Sequence, residues 1–417
     1  MASYLEKLAL FPAQISNKPN DDLKLIVVIP CYDEPQLIRS LTSLKNCEQP
    51  DCSVEVIVVF NESESENESI KKTNLDGFLN AKNWGLENSS PKLRFHMLHH
   101  GNLPEKKAGV GLARKIGMDE AVYRFESIGQ SDGIIACFDA DSLCQTNYFN
   151  AITAHFENNS NTHACSIYYE HPIDGNDYES KVYEAIVLYE LHLRYYNNVK
   201  RFTGFPFAFE TIGSSMAVRC DAYQQQGGMN KKKAGEDFYF LNKFMPLGHY
   251  SEIKNTTVIP SPRISHRVPF GTGKAIGEIV NNPKEYLTYA PQTFVDLKKL
   301  FDIIPTLFAK TQNEIDDLIL QLPLSVRSFL EKQDFTLKIA EIQSNTTSLK
   351  SFYNRFFRWF NGFLLMKFVH HARDEFYANV PVEKASIWLL KNYYEHNISQ
   401  EVLAKELLQM LRLEDKK

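Results

Sequence analysis

The chain has 417 residues, 43% of them hydrophobic and 23% charged, an ordinary globular composition with enough length for two domains. A net charge of −5 argues against a nucleic-acid binder, whose domain is normally basic. Seven cysteines without a Cys-x-x-Cys pair read as reduced thiols and so point to the cytoplasm. No run is long and apolar enough to span a bilayer. Residues 1–22 show neither a long apolar core nor a cleavage site, so no signal peptide is expected.

In chain order, "LKLIVVIP" (23–30) is an apolar run stopped by Pro30, which predicts a buried central strand. Residues 36–46 place Leu37, Ile38, Leu41 and Leu44 at helical spacing. "VEVIVVF" (54–60) predicts a second buried strand, and the polar stretch 61–74 predicts a solvated loop. Residues 92–98 alternate as a third strand. Residues 105–126 predict a helix after a glycine-bearing start, and "GIIACF" (133–138) a fourth strand. Such alternation builds a mostly parallel sheet with flanking helices, and its ligands sit beyond the carboxyl ends of the strands. From about residue 293 helical patterns take over. The expected domains are therefore an α/β unit over 1–290 and a helical region over 291–417.

Chemistry-bearing residues fall at those strand ends. "VVIPCYDEP" (27–35) follows the first strand and carries Tyr32, Asp33 and Glu34. "KKAGVGLARKIG" (106–117) carries Gly109, Gly111 and Arg114. "CFDADS" (137–142) sets Asp139 and Asp141 around one alanine. "AGEDFYF" (234–240) carries Glu236 and Asp237 at the start of a helix. Burying a charge without a partner is costly, so the strand-end acids should meet something. Each piece also has a plain structural explanation, such as a helix cap, a turn or a solvated face.

Taken together and in this order, the four pieces over residues 23–270 resemble the family-2 glycosyltransferases of the GT-A fold. The resemblance implies a nucleotide-diphosphate sugar as donor and a hydroxyl acceptor, whether glycan, lipid-linked or small molecule. It implies Mn²⁺ or Mg²⁺ as cofactor, because a hard cation neutralises the departing diphosphate and needs only one or two protein carboxylates. Asp141 would be the metal ligand, with Asp139 on the ribose or on the metal, and His266 a further candidate ligand. Pro30, Tyr32, Asp33, Glu34, Gly111, Arg114, Arg263 and Arg267 would bind the nucleotide sugar, with pairing to one of the strand-end acids as the other reading of Arg114. Asp237 would be the general base of an inverting transfer, with Glu236 beside it. One departure stands out: Lys115 follows Arg114 where the family usually has asparagine.

Three alternatives stay open. A late histidine is compatible with a retaining mechanism. A nucleotidyltransferase also sets acids beyond a parallel sheet, but "PCYDEP" lacks the glycines that class needs after strand one. A non-catalytic scaffold is disfavoured because Asp139, Asp141 and Asp237 are all present. In the tail, "SFYNRFFRWFNGFLLMKFVHHAR" (351–373) is apolar nearly all round, which predicts a core helix or an oligomer contact in preference to a membrane-surface helix.

Overall fold

The computed structural model describes residues 3–265, 267, 271–282 and 284–417. It divides into two compact units, Met1–Pro172 with Thr211–Lys274, and Ile173–Glu210 with Ala275–Lys417.

The first unit is built on an eight-stranded sheet. Its strands are β1 (Leu23–Cys31), β2 (Ser53–Ser63), β3 (Leu93–Leu103), β4 (Ile134–Cys137), β5 (Leu143–Cys144), β6 (Ala164–Tyr169), β7 (Met216–Arg219) and β8 (Tyr250–Ile259). They lie in the order β3-β2-β1-β4-β7-β6-β8-β5. β1 pairs in parallel with β2 on one side and with β4 on the other, and β2 pairs in parallel with β3. Beyond β4 the sheet turns mixed, with β7 antiparallel to both β4 and β6. The apolar runs read from sequence fall where both sheet faces are covered. Leu25 to Ile29 and Val56 to Val59 are fully buried. The chain moves outward from β1 through β2 to β3, then returns to β4 on β1's other side. A crevice opens at such a reversal, beyond the ends of β1 and β4.

Helix Val110–Ser127 packs on β1 and β2 closely enough that a Cβ on Gly117 would stand 2.5 Å from Val28 Cγ1. Arg124 at its far end grips Glu55 of β2, with Nη2 2.6 Å from Oε1. Both side chains are buried, so the pair fixes the helix against the sheet.

The structure corrects the expected loop at 61–74. β2 continues to Ser63, and a helix runs over Glu68–Asn88. Its N-terminus is capped by Asn67, whose side chain accepts from Ser69 N at 2.9 Å. Only Asn74, Ala81 and Gly85 are buried along its 21 residues, so it offers no apolar stripe to read.

The second unit is helical. The expected boundary at 290 differs from the one observed, because helix Ser180–Phe202 belongs to the helical core. It contributes Leu191, Tyr195 and Val199 to a cluster that includes Phe294, Phe356 and Leu411. Polar keys add to this. Buried Arg194 contacts Glu190 Oε1 at 2.7 Å and Asp415 Oδ2 at 2.5 Å. Arg412 holds the other oxygen of Glu190 at 2.6 Å, and Asn198 holds Asp415 Oδ1 at 2.8 Å. Helix Ala404–Lys416 is thereby locked onto helix Ser180–Phe202.

The aromatic stretch 351–373 is two helices, Leu349–Trp359 and Gly362–Glu375. Asn361 caps the second, accepting from Phe363 N at 3.0 Å. Phe352, Phe356, Phe360, Leu365 and Phe368 are buried in the core, as expected, but the first helix buries one face only and leaves Asn354, Arg355 and Arg358 exposed, so the pattern is not apolar all round. Among the described residues no helix is long and apolar enough to cross a membrane.

The Arg194 network makes a stability prediction. Replacing Asp415 by alanine leaves Arg194 short of a buried counter-charge and should cost about 3–5 kcal/mol, the usual penalty for breaking a buried ion pair. Urea denaturation followed by far-UV circular dichroism measures it. A loss within about 0.5 kcal/mol, as at an ordinary surface site, would remove the network from the account of stability.

Candidate active site

The crevice beyond β1 and β4 is a cleft of about 560 Å³, within the size range of small-molecule sites. Pro30, Tyr32 and Glu34 line it from the end of β1, and Asp139, Ala140 and Asp141 from the end of β4. Arg263 and Arg267 line it from the segment after β8. All of these belong to the first unit.

Opposite charges converge on Glu34. Arg263 donates to both its oxygens, at 3.1 Å to Oε1, and Arg267 Nη1 lies 2.9 Å from Oε2. Gln36 N adds a bond of 2.8 Å to Oε1. Glu34 is buried by these contacts, so it anchors the two arginines and has little capacity left for a ligand. Arg263 also reaches Asp141, with Nη2 2.8 Å from Oδ2. Burial pushes the Asp141 carboxyl up to about 6, and the Arg263 charge opposes that rise.

Asp33 does not line the cleft. It takes a left-handed backbone conformation with φ 48°. Its N–H donates to Asn74 Oδ1 at 2.7 Å, and its carbonyl oxygen accepts from Arg267. Asn74 sits on the helix that the sequence pattern hid, and is itself held by Glu62 Oε2 at 2.7 Å. His99 Nε2 lies 3.0 Å from the other oxygen of Glu62. The turn after β1 is thus held from beneath by His99, Glu62 and Asn74.

A second cluster stands behind Asp139. Arg114 is buried and donates through Nη2 to Asp139 Oδ1 at 2.5 Å, and through Nη1 to Glu236. Burial is the largest influence and would lower the guanidinium's affinity for its proton, but the charges of Asp139 and Asp237 and the hydrogen bond to Asp139 act together against it and the net shift is upward. Arg114 therefore takes the option of pairing with a strand-end acid, and it is not part of the cleft wall. Glu236 is likewise buried. Asp237 accepts from Phe238 N at 2.7 Å and from the Gly213 N–H. Burial raises its carboxyl pKa, and Arg114 pulls it back. Neither Glu236 nor Asp237 lines the cleft as it stands.

Two glycines serve close approach. A Cβ on Gly213 would lie 2.6–2.8 Å from three atoms of the Arg114 guanidinium. A Cβ on Gly111 would lie 2.4 Å from Lys232 O, so Gly111 seats the 230–236 segment and stays out of the cleft wall. Sequence reasoning missed Asn74, Glu62, His99 and Gly213. A buried asparagine in a polar run, or a lone glycine before a strand, gives no pattern to find.

Asp139 and Asp141 present carboxylate oxygens to the cleft, the donor type that Mg²⁺ and Mn²⁺ prefer when phosphate and water supply the remaining positions. Those two residues fit such a cation, with Arg263 as competitor for Asp141. His266 lies outside the described residues. Among the described residues no group of three or more His, Cys, Asp and Glu side chains forms a protein-only metal site.

Among solved structures, Staphylococcus aureus TarS 1–349 in complex with UDP-GlcNAc is 13% identical, covers 90% of this chain and 95% of its own, and has a TM-score of 0.40. A second structure of Staphylococcus aureus TarS 1–349 is 14% identical over 80% of this chain and 89% of its own, with a TM-score of 0.37. No significant match was found among curated proteins. The glycosyl transferase family 2 model matches residues 26–226, which span every strand from β1 to β7 and the acids at their ends. The model of glycosyl transferase family group 2 matches residues 134–403, well over half of the sequence. The chain belongs to glycosyl transferase family group 2, and is a glycosyltransferase.

Proposed function

We propose that this glycosyltransferase takes its sugar from a nucleotide-diphosphate donor bound in the cleft beyond β1 and β4. The observation that carries this is the convergence of Asp139, Asp141, Arg263 and Arg267 on one crevice at the reversal of strand order. A nucleotide sugar needs two things there: cationic groups for its diphosphate, and acceptors for its hydroxyls. Arg263 and Arg267 supply the first, held in place by Glu34. Tyr32, tied to Glu66 at 2.8 Å, stands on the wall where a base or ribose would lie.

Asp139 and Asp141 are the residues that would hold Mg²⁺ or Mn²⁺. When bound, such a cation supplies charge neutralisation to the leaving diphosphate. Arg263 then exchanges Asp141 for a phosphate oxygen, a swap between two anionic partners.

Asp237 is the proposed general base. It removes the proton from the acceptor hydroxyl as that oxygen attacks the anomeric carbon, giving inversion. The carboxyl's burial favours this role, since a raised pKa makes it a stronger base once ionised. Arg114 links it electrostatically to Asp139, so the donor-side and acceptor-side acids share one cation. Reaching the acceptor requires Asp237 to face the cleft when substrate is bound.

Three outcomes test this. Asp237→Asn should keep donor affinity and lose transfer by about a hundred- to ten-thousand-fold, because an amide cannot accept the proton. Steady-state transfer with isothermal titration of nucleoside diphosphate separates the two; near wild-type turnover would remove Asp237 from the mechanism. Asp141→Ala should abolish the divalent-cation dependence of nucleoside diphosphate binding, and a retained dependence would move the metal elsewhere. Gly213→Ala drives a methyl into the Arg114 guanidinium. It should cost about 1–3 kcal/mol of stability as an overpacked site and should slow transfer through the displaced Arg114. Unchanged stability together with unchanged transfer would show that Arg114 holds nothing together.

A further inference from the structure

The tetrapeptide Lys-Lys-Ala-Gly occurs twice, at 106–109 and at 232–235. Each copy leads directly into a helix, Val110–Ser127 and Glu236–Leu241. The fold brings the two copies side by side. Gly111 N donates to Lys232 O at 3.2 Å, and a Cβ on Gly109 would lie 3.1 Å from the Lys233 Cα. With Lys231, five lysines gather on these two loops, and all five are exposed. None of them pairs with a carboxylate among the described residues. Lys232 lies over the Tyr239 ring at 3.9 Å. The ammonium of Lys231 has its pKa lowered, first by burial and then by the charges of Lys107 and Lys115, so the positive groups face one another.

This concentration is local, because the whole chain carries −5. It also sits at the site. Lys233, Ala108 and Gly109 line the same cleft as Asp139, and Asp237 follows four residues after Lys233. Glu105 is the one carboxylate of the 104–109 loop, and it too lines the cleft. Unpaired like charges held together do not stabilise a fold; they raise the local concentration of anions.

We propose that this lysine rim binds the acceptor, and that the acceptor is a chain of repeating negative charges, a phosphodiester-linked or uronate glycan. This rests on the glycosyl-transfer function proposed above. The donor reading assigns the diphosphate to Arg263 and Arg267, which line the cleft, so the exposed lysines exceed what that reading needs. A polymer with a charge on each unit engages several of them at once and leads its terminal hydroxyl past Lys233 toward Asp237.

The experiment uses the full chain, fluorescently labelled linear polyphosphate, labelled polyguluronate and neutral dextran. Fluorescence anisotropy should show binding of at least one polyanion and none of dextran, with affinity falling as salt is raised. The polyphosphate and polyguluronate arms distinguish phosphate from carboxylate as the charge that is read. The triple variant Lys107→Ala/Lys231→Ala/Lys232→Ala should lose at least roughly tenfold in polyanion affinity. It should keep wild-type nucleoside diphosphate affinity by calorimetry. Equal polyanion binding by variant and wild type overturns the proposal, as does no binding by the wild type. A parallel loss of nucleoside diphosphate affinity assigns the lysines to the donor and also overturns it. Vesicles of anionic phospholipid that bind more tightly than either polymer would overturn it in favour of a lipid surface. If the wild type binds polyanion but no nucleoside diphosphate, the donor reading fails, and the rim's acceptor role fails with it.

Discussion

One buried cation organises the cleft-bearing unit of this enzyme. Arg114 stands at the start of helix Val110–Ser127 with a carboxylate on each side, Asp139 from the end of β4 and Glu236 from a helix 122 residues further on. A guanidinium is suited to this task because it is planar, permanently charged and able to donate in two directions at once. Removing Arg114 leaves Asp139 and the buried Glu236 without their shared counter-charge. The consequence is geometric. The sheet fixes Asp139, the helix fixes Arg114, and Arg114 then fixes where the Glu236–Asp237 segment begins. Gly213 completes the arrangement by giving up its side chain so that the guanidinium can lie flat against the backbone.

The front of the cleft repeats the principle with the signs reversed. There a buried anion, Glu34, holds two cations, Arg263 and Arg267. The turn that carries Glu34 includes Asp33 in a left-handed conformation, which a non-glycine residue adopts only when its surroundings enforce it. Asn74 and Arg267 supply that enforcement from either side of the same residue. Under the proposed donor role of Arg267, binding and backbone strain are coupled: whatever draws Arg267 forward loosens one of the two bonds that hold the turn.

Much of the sheet was legible in the sequence, because buried parallel strands are continuous apolar runs and the strand-end acids interrupt them visibly. β1, β2 and β4 needed no more than that. The helix Glu68–Asn88 was not legible, since it buries only three small or polar residues and looks like solvated chain. Asn74, which it delivers to the site, was lost with it. The allocation of helix Ser180–Phe202 to the helical unit was also hidden. It depends on Arg194 finding Asp415, 221 residues away, and no local pattern announces such a partner. Site residues were readable as types, but their pairings were not. Arg114 read as a ligand for phosphate or a partner for a strand-end acid, and the two late arginines as ligands for phosphate, whereas in the folded chain each is a partner for an acid.

The same long-range key has a consequence for how the chain is made. Helix Ser180–Phe202 leaves the ribosome with Glu190 and Arg194 already side by side, but Arg412 and Asp415 are not yet synthesised. At about 5–20 residues per second the interval is on the order of ten seconds or more. During it the first unit can close around β8, while Glu190 and Arg194 wait for their distant partners. The buried network of the second unit is therefore completed only once the segment 404–416 has been made, whatever order the other helices pack in.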